Sequence, residues 1–116
     1  MKAKIKLVIE NEERFFGPGV AELLSLIDKY GSIQAACSDM NMSYSKAWKM
    51  IKRANEALGF SLLASKNGGK EGGESRLTEE GRQFLRCYKD MKERLCIEAD
   101  RMFRECFEAY LGDHIV

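Results

Sequence analysis

The sequence has a single histidine, a single proline and no pair of cysteines two residues apart. Structural zinc requires four Cys or His ligands at short spacings, and Cys37, Cys87, Cys96, Cys106 and a lone His114 do not supply them. This excludes a zinc finger. With one histidine near the terminus, no nucleophile has a base beside it, and enzyme chemistry has no constellation to stand on. No apolar run approaches the roughly 20 residues of a membrane span. The N-terminus starts basic, and its short apolar stretch soon meets a charge at Glu10, so it is not a signal peptide. Cys87, Cys96 and Cys106 lie nine and ten residues apart on one predicted helix, where they cannot pair within the chain. Unpaired thiols point to a reducing cytosol, hence a cytoplasmic protein, with the cysteines serving as small apolar packing residues.

Large net charge is also missing. Nineteen basic and 18 acidic side chains leave +1 over 116 residues, the size of one domain. The distribution is uneven. Residues 1–30 carry five of each sign, residues 31–76 seven basic and four acidic, and residues 77–116 seven basic and nine acidic. The positive excess falls on the middle of the chain, the local footprint of nucleic-acid contact.

That middle opens with Gly31-Ser32-Ile33. Gly31 suits a left-handed helix end, and Ser32 offers a hydroxyl to a new N-terminus. A short helix over Ile33–Ser38 is predicted. Asp39-Met40-Asn41-Met42 then makes a turn, with Asn41 tolerating positive φ. Ser43 caps a longer helix ending at Leu58-Gly59. At about 100° per residue, Ala47, Trp48, Ile51, Ala54 and Leu58 share one face, with Ser45, Lys46, Lys49, Lys52, Arg53 and Glu56 opposite. On that face Trp48 is expected in the core. The stretch alone fits a helix-turn-helix or an ordinary helical hairpin with a solvated lysine face.

The flanks decide between them. Lys4–Glu10 and Arg14–Phe16 read as an N-terminal β-hairpin around Asn11-Glu12-Glu13, broken by Gly17-Pro18-Gly19. A helix over Val20–Lys29, with Leu23, Leu24, Ile27 and Tyr30 at helical spacing, packs behind the pair and completes three helices. After Gly59, Phe60–Ser65 suits a strand, residues 66–74 form a polar glycine-rich loop, and Ser75-Arg76-Leu77 returns. This is a wing, with Lys66, Lys70 and Arg76 as cations and glycines that let backbone N–H groups approach phosphate. Neither G-x-G-x-x-G nor a P-loop is present, since Gly69-Lys70 runs into Glu71. Thr78 caps a last helix from Glu79 to about Tyr110, with Glu79 and Glu80 in its first turn. Phe84, Tyr88, Met91, Leu95, Ala99, Met102 and Cys106 recur near a heptad. A helix this long outreaches the domain, and a second copy is the expected cover, giving a two-fold dimer; the alternative is that it folds back onto the N-terminal hairpin.

In this order, Gly31-Ser32-Ile33 with Ala35-Ala36, Met42-Ser43-Tyr44 leading to Ala47-Trp48, and the Gly68–Gly73 wing running into Leu77-Thr78-Glu79-Glu80-Gly81 resemble the DNA-binding domain of the molybdate-dependent transcriptional regulators, the ModE family, relatives of LysR-type winged helices. The resemblance covers about residues 3 to 95. It implies a mainly α, small-β winged helix-turn-helix over residues 1–77 (wing about 61–77) and a long dimerisation helix over 78–116. It further implies a dimeric, sequence-specific transcriptional regulator on an inverted repeat. Family members that sense molybdate carry oxyanion-binding β-barrel domains after the winged helix. The sequence given ends at Val116, so the expectation is a stand-alone form with no evident molybdate site, no cofactor and no metal. Where the family often has an arginine ahead of the wing, Ser65-Lys66 stands, and Glu71 and Glu74 weaken the wing's attraction for phosphate.

The expected DNA contacts are Ser43, Tyr44, Ser45, Lys46 and Lys49 in the major groove, with Lys49, Lys52 and Arg53 within reach of phosphates. Ser32 holds a phosphate at the start of its helix. Lys66, Asn67, Gly68, Gly69, Lys70 and Arg76 form the wing contact. The rival reading is a winged-helix protein-interaction module without specific DNA binding; the near-neutral charge and the wing glutamates favour it.

Overall fold

The computed structural model describes residues 1–66 and 74–112. Its elements are β1 (Ile9–Glu10), β2 (Arg14–Phe16), α1 (Pro18–Tyr30), α2 (Ile33–Met40), α3 (Tyr44–Leu58), β3 (Leu63–Lys66), β4 (Glu74–Leu77) and α4 (Glu79–Leu111). Two small antiparallel sheets, β1–β2 and β3–β4, flank a helical core. This is a winged helix with a long C-terminal helix.

Local chemistry accounts for the helix ends. Pro18 opens α1, where its missing N–H is no loss; the helix therefore starts earlier than Val20. Gly31 closes it at φ 71°, and Tyr30 donates its hydroxyl to Asp39 3.1 Å away, joining α1 to α2. α2 runs to Met40, past Ser38, because the left-handed residue that ends it is Asn41, at φ 55°. Gly59, at φ 83°, closes α3.

The first and third strands are shorter than their sequence patterns, β2 matches its pattern, and β4 begins one residue earlier, at Glu74. Only Ile9 and Glu10 of the first run pair with β2, and the register shifts between them. Ahead of them the Leu7 carbonyl accepts the Tyr88 hydroxyl at 2.7 Å. β3 pairs with β4 from Leu63↔Leu77 to Lys66↔Glu74. Leu62 lies outside the ladder and is wholly buried. Its N–H donates to Asn55 Oδ1 of α3 at 2.8 Å.

Two apolar clusters share α1. One joins Phe15, Phe16, Val20 and Leu24 to Ala54, Leu62, Leu77, Leu85 and Tyr88. The other joins Leu23 and Ile27 to Ile33, Ala36, Cys37, Ala47 and Ile51. Adjacent residues Leu23 and Leu24 thus serve different cores. Ser75 N–H donates to the Gly31 carbonyl at 3.0 Å and ties β4 to the end of α1. Arg82 pairs with Asp28 at 3.1 Å, across α4 and α1.

The long helix behaves differently along its length. Phe84 and Tyr88 meet Phe16 edge-on, at centroid distances of 4.8 and 5.0 Å. Both are occupied within the chain, and Tyr88 is buried, so the seam expected to face a second copy begins by folding back onto the N-terminal hairpin. Burial also raises the Tyr88 phenol above its ordinary pKa. Beyond it Met91, Met102 and Phe107 are exposed, and Phe103 stacks on Phe107 at 4.9 Å. Several charges of this half pair along the helix: Arg101 bonds Glu98 and Glu105, and Arg94 and Arg104 reach Asp90 and Asp100 at 3.7 Å each. The Arg101 hydrogen bond holds the Glu98 carboxyl below the ordinary carboxylate range.

Gly81 sets how closely α4 meets the base of the wing. A Cβ there would lie 2.3 Å from the Leu62 carbonyl oxygen, which is backbone and cannot swing aside. The Gly81→Ala variant gains about 1 kcal/mol of helix propensity but overpacks a fixed backbone contact at a cost of about 1–3 kcal/mol, so a net loss of up to about 2 kcal/mol is expected. Urea denaturation should show a lower midpoint with an unchanged m-value.

Candidate nucleic-acid interface

Two hydroxyl caps fix the helix pair. Ser32 Oγ accepts from Ala35 N at 3.1 Å, and Ser43 Oγ accepts from Lys46 N at 3.1 Å. Both serines have extended backbone, as N-caps do. Between the helices, Asn41 N–H and Met42 N–H return to carbonyls of α2, the latter to Cys37 at 3.0 Å. The Cys37 thiol is buried 3.8 Å from the Ser43 carbonyl, and burial pushes its pKa up. The turn is therefore closed on its inner side.

α3 presents Ser45, Lys46, Lys49, Lys52 and Arg53 to solvent, with Ala47, Ile51 and Ala54 buried behind them. Ser43 and Tyr44 are exposed at its start, and Ser32 is half-buried at the start of α2. The N-terminal hairpin docks beside this face. Glu12, Glu13 and Arg14 of its turn face Lys49, Lys52 and Arg53 across an open groove of about 620 Å³. Sequence gave no sign of this approach, because it depends on how β2 packs against α3.

Arg76 is exposed on β4. Lys66 closes β3 with its backbone opposite Glu74. Its side chain, together with Asn67, Gly68, Gly69 and Lys70, lies outside the described residues. Of the seam residues, Leu95 and Ala99 are half-buried and Met91, Met102 and Cys106 exposed, whereas Phe84 and Tyr88 belong to the chain's own core.

Trp48 is not in the core. It is 47% exposed, and Tyr44, one turn earlier, 50%. The buried stripe of α3 is centred between Ala47 and Ile51, and Trp48 lies about a quarter turn from that centre. Ala47, Ile51 and Ala54 fill the stripe and are wholly buried, and the indole falls at its edge. The angular offset is a signal that the sequence already contained.

The buried stripe, the capped turn and the exposed basic face are those of a DNA-reading helix pair. Residues 21–82 match the family described as bacterial regulatory helix-turn-helix protein, lysR family. The chain belongs to that family of bacterial regulatory helix-turn-helix proteins. Within it, the chain is 32% identical to the molybdenum transport protein ModE of Herbaspirillum seropedicae over 81% of its own length. It is 33% identical over 76% to the DNA-binding transcriptional dual regulator ModE of Escherichia coli K12. To the molybdenum-pterin-binding protein MopB of Rhodobacter capsulatus it is 32% identical over 71%. The chain spans about a third of each relative's length, 33%, 34% and 30% in turn. Among the described residues no helix is long and apolar enough to cross a membrane.

The Ser43 cap gives a direct test of the frame. Ser43→Ala removes the acceptor for Lys46 N–H and should cost about 1 kcal/mol, whereas Ser43→Gly should cost only a few tenths. The urea midpoint of each variant against wild type measures both.

Proposed function

We propose that this cytoplasmic chain regulates transcription as a homodimer on an inverted-repeat operator. Residues 1–77 are the reading unit, and 78–116 carry the dimer contact. α3 enters the major groove with Ser43, Tyr44, Ser45, Lys46 and Lys49 leading. Lys49, Lys52 and Arg53 meet phosphates, and the half-buried Ser32 meets another at the start of α2. Lys66, Asn67, Gly68, Gly69, Lys70 and Arg76 supply the wing contact. The observation that carries the reading is the row of exposed cations on α3, held by a capped turn over a fully buried stripe.

The dimer contact falls to the outer half of α4: Met91, Leu95, Ala99, Met102 and Cys106. The exposed Met91, Met102 and Phe107 support this, while Phe84 and Tyr88 act as the anchor of that helix on its own domain. In such a dimer the two α3 helices lie about one turn of DNA apart, roughly 34 Å. The relatives' names concern molybdenum, but no molybdate site is proposed on these residues.

The second reading, docking on a protein, has one observation in its favour: Glu12 and Glu13 stand across the groove from the cations. Salt separates the two. A DNA-bound dimer making about six to ten phosphate contacts loses about 10³–10⁵ in affinity between 50 and 200 mM salt. A flat response supports protein docking.

Selection of random duplexes by the purified protein should enrich an inverted repeat. On that operator, Lys46→Ala should weaken binding and alter sequence preference. Lys70→Ala should weaken operator and random DNA alike and lower the salt slope by about one. Gel-shift titrations at several salt concentrations measure both, and variants equal to wild type on both DNAs would refute these roles.

A further inference from the structure

We infer that Trp48, with Tyr44 beside it, reads thymine in the operator through the C5-methyl group in the major groove. The inference rests on the operator reading above and adds a specificity determinant to it.

Three observations carry it. Trp48 and Tyr44 are about half exposed on α3, the helix that bears the row of cations. Spaced four residues apart, they form one apolar strip beside Ser45, Lys49 and Lys52. Neither makes a hydrogen bond or ring contact with another described residue, and about half of each residue's surface remains open to solvent. The strip also has a defined direction. Asn55, seven residues beyond Trp48 and so on nearly the same flank, bonds Leu62 at the base of the wing. Trp48 therefore lies about 10 Å towards the leading end of α3 along the wing-facing flank.

A large apolar surface at that place needs an apolar partner. Polar base edges and phosphates line the major groove, and the C5-methyl of thymine is the apolar group displayed there. The surrounding cations bring the strip against DNA, and the strip then discriminates. A methyl group covered by the indole is withdrawn from water, and cytosine at the same position offers none.

The test uses the operator selected by wild-type protein, with each thymine replaced in turn by deoxyuridine. This deletes the methyl and keeps base pairing. At one or two positions per half-site, wild type should lose about fourfold, the factor corresponding to one buried methyl group. Trp48→Ala should bind the intact operator more weakly and lose nothing further at those positions, and Trp48→Phe should restore part of the sensitivity. Since Trp48 is half exposed, the variants should fold, which circular dichroism and the urea midpoint check. The inference is overturned if wild type tolerates every deoxyuridine, or if Trp48→Ala stays as sensitive as wild type. It is also overturned if Trp48→Ala weakens all sequences equally, which would place the indole N–H on a phosphate. A wild-type protein that enriches no sequence overturns the operator reading, and this inference with it.

Discussion

The backbone of Leu62 is the point on which the architecture turns. Its N–H is held by the side chain of Asn55, from the last turn of α3. Its carbonyl accepts from Thr78 N at 3.0 Å, at the start of α4. Thr78 Oγ1 donates to the Ser61 carbonyl at 2.7 Å and accepts from Gly81 N at 2.8 Å. One threonine thus caps the long helix and clips it to the segment between α3 and β3. The Leu62 side chain is buried in the core shared with Phe16 and Leu85, so the part-buried bond from its N–H to Asn55 is partly shielded from water, and losing that partner is costly.

From that point the two cores divide the work. The core of Ile33, Ala36, Ala47 and Ile51 holds α2 and α3 together against Leu23 and Ile27 of α1. The core of Phe15, Phe16, Leu85 and Tyr88 fastens the hairpin and α4 to the back of the same α1. The exposed cations of α3 thus sit on a frame held on both sides of α1. The wing shares the frame through Ser75 and Gly31.

Much of this was legible from residue chemistry. Ser32, Ser43 and Thr78 announce helix starts, and Gly31, Asn41 and Gly59 announce helix ends, because caps and left-handed conformations are local requirements. The basic face of α3 followed from periodicity. Contacts between distant segments were less accessible. That Tyr88 reaches the Leu7 carbonyl, removing it from any seam, depends on a hairpin more than eighty residues away. Trp48 is a different case, since its offset of about a quarter turn from the buried stripe was already readable from the spacing. Both aromatics were placed by apolar character; geometry assigned them to opposite places, one inside and one outside.

The attachment of α4 fixes an angular phase. Up to Tyr88 the helix is immobilised against the hairpin, and about four helical turns then separate it from Met102. An α-helix has no slack in rotation. Each residue inserted between these points would turn the outer apolar face by about 100° relative to α3 and advance it by about 1.5 Å. Seven would return it nearly to phase, and two or five would turn it to the opposite or near-opposite side. The direction in which the free half of α4 faces is therefore counted out in residues, like the pitch of a screw, and the length of this segment is as much a part of the reading head as its cations.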